Sequence, residues 1–233
     1  MTLHHHGLPL TPEVMLLDLA GKCVCISYAT KRDAQVEICL RLMQIIMFDC
    51  GEYTYHQQGG TLDKEAYYGW LRPMLRPPHW AVVPDVIGGD VEAQRAMVAT
   101  WPFRRSRGAP VWHLGLPLSY LIELAHEWPR ICFGSSAEFW QVGSPAWKAR
   151  MHEAFAALKE AGLEPEVHGL RMMAEAGNWP LASVDSVNTA RNYKDRDEMP
   201  GRMAERQDRV NAPLDFQPAR KALPTPAQED IFA

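Results

Sequence analysis

Five residues in this sequence share a placement that suits acid–base and nucleophilic chemistry. Asp49, Asp85, His113, His168 and Asp185 each close, or directly follow, a short apolar run. The local strings are FDCG at 48–51, VVPDVIGG at 82–89, VWHLG at 111–115, VHG at 167–169 and SVDS at 183–186. One aspartate after a strand is ordinarily a turn residue or a helix cap. Three aspartates and two histidines gathered at one edge of one sheet mean more. Like charges held together raise one another's pKa, so one carboxyl keeps its proton while another stays ionised. That is the acid-plus-nucleophile arrangement of glycosyl transfer. Metal binding by the same Asp/His set is the competing chemistry, in the manner of a metal-dependent barrel hydrolase. The residues alone point to a carboxylate enzyme acting on a C–O or C–N bond at a sugar carbon.

A shared edge needs a sheet to supply it. Apolar runs fall at 23–28, 44–48, 80–83, 110–112, 130–133, 165–167 and 181–184, short, rich in Val and Ile, and bounded by Gly, Pro or Asp. Buried parallel strands have this texture. Amphipathic stretches at 31–43, 61–75, 90–101, 118–128 and 144–161 separate them, with Thr61 as the expected N-cap of the second and Ser144-Pro145 opening the last. Alternation of this kind predicts an α/β fold, a (β/α)8 TIM-type barrel, whose active site lies at the C-terminal strand ends. Seven strands are read directly and 14–19 is the candidate for the eighth. An open doubly wound sheet is the runner-up, but it would want a Gly-rich loop where this chain has Ser27-Tyr28-Ala29-Thr30. The expected organisation is a flexible leader at 1–12, containing His4, His5 and His6, a catalytic barrel at 13–197, and a C-terminal extension at 198–233. The extension is expected to hold a short helix at 200–209, then a tail that wraps the barrel or stays disordered.

Composition agrees with one enzyme domain. The chain has 233 residues, 47% of them hydrophobic, and a net charge of −4. That is enough apolar content for a sizeable core, and too acidic a balance for indiscriminate coating of nucleic acid. Local patches remain, at Arg104, Arg105 and Arg107, and at Arg191, Lys194 and Arg196. No apolar run approaches the roughly 20 residues of a membrane span, and no signal peptide is read, so a cytoplasmic protein with no membrane partner is expected. Cys23, Cys25, Cys39, Cys50 and Cys132 are odd in number and scattered. Reduced, buried thiols follow, with Cys23 and Cys25 packed on one strand face.

The strand-end segments also resemble a family. FDCGEYTY at 48–55 is similar to the Asp-Ser-Gly-Gly-(Phe/Tyr)-Gln segment of the tRNA-guanine transglycosylases, and closer to the version in their short phage relatives. VVPDVIGGD at 82–90 resembles the base-recognition segment, PVWHLG at 110–115 the Val-Gln-Gly strand, and ICFGSS at 131–136 the Gly-Gly strand that contacts the base. VHGLRMM at 167–173 resembles the following strand, and SVDSVNTARN at 183–192 the nucleophile segment with its trailing Arg-Asn. The resemblance runs in order over residues 45–192.

It implies a base-exchange pentosyltransferase with Asp185 as nucleophile and Asp49 as general acid/base. Asp85, His113, Gly134, Ser135, His168 and Tyr53 would contact the substrate, with Tyr55 the other stacking candidate. Arg191 and Lys194 would hold flanking phosphates. No metal and no cofactor is implied. Two departures matter. The tRNA enzymes carry a CxCxxC…H zinc module after the nucleophile, whereas no cysteine follows Cys132 here; and His113 stands where they use glutamine. Both, with the short chain, lean towards the phage branch that resembles DNA-guanine transglycosylases, with DNA and a free 7-deazaguanine such as preQ0 as partners and a host cytoplasm as the setting. Action on tRNA is the alternative, and a catalytically silent nucleic-acid-binding subunit is the reading outside enzymology.

Overall fold

The computed structural model describes residues 1–195 and 198–218. Nine parallel strand segments form one sheet: β1 (Leu3–Gly7), β2 (Cys23–Ser27), β3 (Ile45–Asp49), β4 (Trp80–Val82), β5 (Gly108–Ala109), β6 (Val111–His113), β7 (Arg130–Gly134), β8 (Glu166–Gly169) and β9 (Ser183–Ser186). Their order is β5-β4-β3-β2-β1-β9-β8-β7-β6. The two edge segments are halves of one stave, divided at Pro110, which has no N–H to give to a ladder. That stave serves both sides of the gap. Ala109 O accepts from Val83 N at 3.0 Å, and Pro110 O accepts from Cys132 N at 2.9 Å. The sheet is therefore a nearly closed barrel of the TIM type, as the alternating pattern predicts.

Helices α1 (Asp33–Leu42), α2 (Glu52–Gln57), α3 (Lys64–Leu71), α4 (Val91–Val98), α5 (Leu118–Glu127), α6 (Pro145–Glu160), α7 (Asn188–Asn192) and α8 (Pro200–Asp208) lie outside it. The longest, α6, shows how sequence sets an element. Ser144 Oγ accepts from Trp147 N at 3.2 Å, Pro145 takes the first turn, and Gly162 follows the end at φ +67°. Trp147, Met151, Ala154, Phe155 and Leu158 recur at helical spacing and are buried against the barrel. The expected cap of α3 is corrected: Asp63, not Thr61, accepts from Ala66 N, and the helix starts at Lys64.

Two expectations about the termini fail for one reason. Residues 1–12 are not a flexible leader, because Leu3–Gly7 is the strand β1, paired with β2 and β9. The stretch at 14–19 is not a strand but part of a 3-10 helix, Glu13–Leu19. The three histidines read as a polar run, yet each is buried with its side chain assigned by strand alternation. His5 enters the barrel beside Trp80 and His168, at ring-centroid distances of 5.5 and 5.7 Å. His4 and His6 leave the other face, where Nε2 of His4 donates to Val210 O at 2.8 Å and Nε2 of His6 meets Asp208 Oδ1 at 3.0 Å. Lys22 Nζ reaches the second oxygen of Asp208 at 2.9 Å. The expected extension at 198–233 is thus corrected in its first part: α8 and residues 209–211 complete the barrel wall over β1. Phe216 packs on Trp179, His152 and Phe155, so the chain wraps the barrel to that point. The rest of the expected tail, residues 219–233, lies outside the described residues, as does Arg196.

All five cysteines are buried and free. No helix among the described residues is long and apolar enough to cross a membrane.

Candidate active site

The barrel brings Asp49, Asp85 and Asp185 to one mouth at its C-terminal end. Asp49 ends β3 in register with Ser27 of β2. The turn that follows needs glycine: Gly51 has φ +79°, and a Cβ there would stand 2.6 Å from Ala29 Cβ. Asp185 lies in β9 opposite His5. One of its oxygens, Oδ1, accepts from the backbone N–H of Arg171 at 2.7 Å and from His168 Nε2 at 3.3 Å. The other ring nitrogen, Nδ1, lies 2.8 Å from the Ser183 hydroxyl, so both nitrogens of His168 are hydrogen-bonded and the ring is held in place. Asp85, in the loop after β4, takes Nε2 of His113 on Oδ2 at 2.7 Å, with Cys50 Sγ at 4.0 Å from its other oxygen.

Arg171 is held at φ +58°, a left-handed conformation that costs a non-glycine residue about 1–2 kcal/mol. The strain aims its N–H at Asp185. Its guanidinium meanwhile lies 4.2 Å from the Tyr53 ring centroid. Tyr53 belongs to the β3 loop and Arg171 to the β8 loop, which stand on opposite sides of the barrel, so the pair bridges the mouth.

The electrostatics divide the carboxyls. Burial, then the charge of Asp185, pushes Asp49 up to about 6, with Asp85 adding to the effect. Ser27, whose hydroxyl makes no full hydrogen bond, and the Gly51 N–H pull the other way without prevailing. Glu52, next to this turn, is pushed up to about 7 by burial and by Asp85. Burial, reinforced by the nearby carboxylates, also holds the Cys25 and Cys50 thiols well above the ordinary range. The mouth therefore carries groups with a proton to lend beside one carboxylate fixed by two donors.

The expected site residues sort by depth. Asp49, Asp85 and Asp185 converge, and Tyr53 is exposed at the rim. His168, expected among the substrate contacts, is instead fully buried, with Nε2 3.3 Å from Asp185 Oδ1, a position suited to orienting that carboxyl rather than lining the open mouth. His113 stands mostly buried behind Asp85 in the same supporting sense. Gly134 lets that ring approach, since a Cβ there would lie 3.2 Å from His113 Nδ1, and its carbonyl accepts from Leu114 N. Ser135 Oγ is turned to helix α6, accepting from Trp147 Nε1 at 3.0 Å. Tyr55 is half-buried. Arg191, in α7, and Lys194 just after it are exposed on the segment that follows β9. Arg104, Arg105 and Arg107 precede β5 and so sit at the opposite end of the barrel, where Arg105 pairs with Glu127. Arg171 and Glu52 were not singled out by sequence. A left-handed arginine leaves no compositional mark, and Glu52 reads as an ordinary first-turn helix acid.

Among the described residues, no group of three or more His, Cys, Asp or Glu side chains is arranged to hold a metal ion. No protein-family model matches the chain, and no curated protein matches it.

Proposed function

We propose that the protein is a guanine transglycosylase that exchanges a guanine in DNA for a free 7-deazaguanine base. The observation that carries this reading is the unequal treatment of two neighbouring carboxyls. Asp185 is oriented by the Arg171 N–H and His168, while Asp49 keeps a proton to about pH 6. One is prepared as a nucleophile and the other as an acid that becomes a base.

Asp185 attacks C1′ of the target nucleotide as the C1′–N9 bond to guanine breaks, giving an aspartyl–sugar ester. Asp49 protonates the departing purine. The incoming 7-deazaguanine then gives its N9 proton to Asp49, and N9 displaces Asp185 from C1′. Two inversions at one carbon retain the β configuration. Asp85 accepts from the donor edge of the base, since a carboxylate with one oxygen bound to His113 keeps further lone pairs. The target base must leave its stack, at a cost of a few kcal/mol, and the Tyr53–Arg171 bridge must open to admit it. Arg191 and Lys194 face flanking phosphates.

DNA is preferred over tRNA because no cysteine follows Cys132, so the zinc module of the tRNA enzymes has no ligands in this sequence. The test is exchange of labelled guanine or preQ0 into DNA and, in parallel, into tRNA, with Asp185→Asn beside the wild type. Undiminished exchange by the variant removes Asp185 from its role, and exchange confined to tRNA reassigns the substrate. Tight binding to DNA with no exchange on either nucleic acid would favour the silent subunit.

A further inference from the structure

The sequence has eight tryptophans, and only Trp140 is exposed, with 70% of its surface open to solvent. It sits in the connection between β7 and α6, on the same end of the barrel as the three aspartates. An exposed indole on a loose loop would mean little, but this loop is built. Ala137 is held at φ +49°, a strained conformation for a residue with a Cβ. Phe139 N donates to Ser136 O at 2.9 Å, and Gly115 N donates to Ser136 Oγ at 3.3 Å. Arg150 braces the loop from below, its guanidinium 5.5 Å from the Phe139 ring while donating to the carbonyls of Leu114 and Leu116.

The loop is also packed on its neighbour. A Cβ on Gly143 would stand 2.9 Å from Glu175 Oε1, so it packs against the β8–β9 connection that carries Arg171. Trp140 thus presents an exposed indole at the same end of the barrel as Arg171, Arg191 and Lys194, each in a connection that follows a strand. Cations that follow a phosphate backbone, interleaved with a rigid aromatic face, fit a single nucleic-acid strand.

We propose that Trp140 stacks on an unpaired nucleobase adjacent to the target nucleotide. The inference rests on the reading that the mouth accepts nucleic acid, and it assigns a residue outside the exchange chemistry. Stacking there would hold the strand open while the target base occupies the barrel, offsetting part of the unstacking cost.

The test compares wild type, Trp140→Ala and Trp140→Phe for binding to a short single-stranded oligonucleotide carrying 2-aminopurine, with heparin as a base-free polyanion. The alanine variant should bind the oligonucleotide about tenfold more weakly, the size of one lost base–aromatic stack. The phenylalanine variant should recover most of that loss. Heparin binding and thermal midpoints should be the same in all three, since the side chain packs little. Where exchange is measurable, the alanine variant should raise KM and spare kcat. Equal oligonucleotide binding by wild type and alanine variant overturns the proposal. So does an equal loss on heparin, or a wild type that binds no oligonucleotide, which would point to a protein partner. Absent exchange with intact Trp140-dependent binding rejects the transglycosylase chemistry and leaves this inference standing.

Discussion

The proton on Asp49 can be weighed by stability as well as by catalysis. Its pKa is raised from 3.8 to about 6, first by burial and then by Asp185. A carboxyl raised on folding binds its proton more tightly in the native state than in the unfolded chain. Its contribution is therefore fully present below about pH 4 and lost as the pH rises through about 6. Two pKa units at 1.36 kcal/mol each set the scale at roughly 3 kcal/mol, an upper figure because the group keeps some contact with water. Asp49→Asn has nearly the same shape and cannot ionise. It should match the wild type near pH 4 and exceed it near pH 8, by roughly 4–10 °C in thermal midpoint for a chain of this size. The assay is a set of melts for both proteins between about pH 4 and 8. A constant gap between the two curves at every pH would refute the reasoning, because it would show that Asp49 titrates alike in both states. Asp185→Asn supplies a control. It removes the second-largest cause of the shift, so the pH dependence owed to Asp49 should move to lower pH.

Other consequences are sharp enough to measure. His168→Ala should lower kcat for exchange by about 10- to 100-fold with KM little changed, since only the hold on Asp185 is lost; steady-state kinetics would check it. Gly51→Ala forces a Cβ to within 2.6 Å of Ala29 at a positive φ, and should lower stability by about 2 kcal/mol or more in urea titration, displacing Asp49 with it. Asp208→Asn removes the charge that joins His6 and Lys22. Although burial works against ionisation, those two partners hold Asp208 below the usual carboxylate range, so its contribution is present above about pH 4 and lost as acid protonates it. The variant should be less stable by about 2 kcal/mol at neutral pH, with the gap closing in acid.

The barrel and its aspartates were legible because they depend on local signals. Short Val- and Ile-rich runs ending in Asp49 and Asp185 carry both strand and site in a few residues. What escaped depends on partners far along the chain. Leu-His-His-His-Gly is polar by composition, and becomes a buried strand only because Asp208 and Val210 receive His6 and His4 about 200 residues later. The run at 14–19 has strand composition, but helical turns behind Pro12 give it a different backbone. Within the site, His168 is chemically indistinguishable in sequence from a ligand-binding histidine. Only its depth under Asp185 separates the two roles. Arg171 acts through a backbone N–H, which every residue but proline possesses.

The seam at β1 bears on how the molecule is made. Its neighbours are β2, available early, and β9 and α8, which follow some 180 residues behind. A nascent chain can pair β1 with β2, and β2 with β3, yet it has nothing to set beside the open edge of β1 until β9 emerges, and nothing to receive His6 until Asp208 does. Ring closure thus waits until β9 and Asp208 have been made, leaving an unpaired edge and the histidines of β1 in water for the whole interval. A chain ending before Asp208 would lack the partner of His6 and Lys22, so the closing of this barrel is tied to residues made long after its first strand.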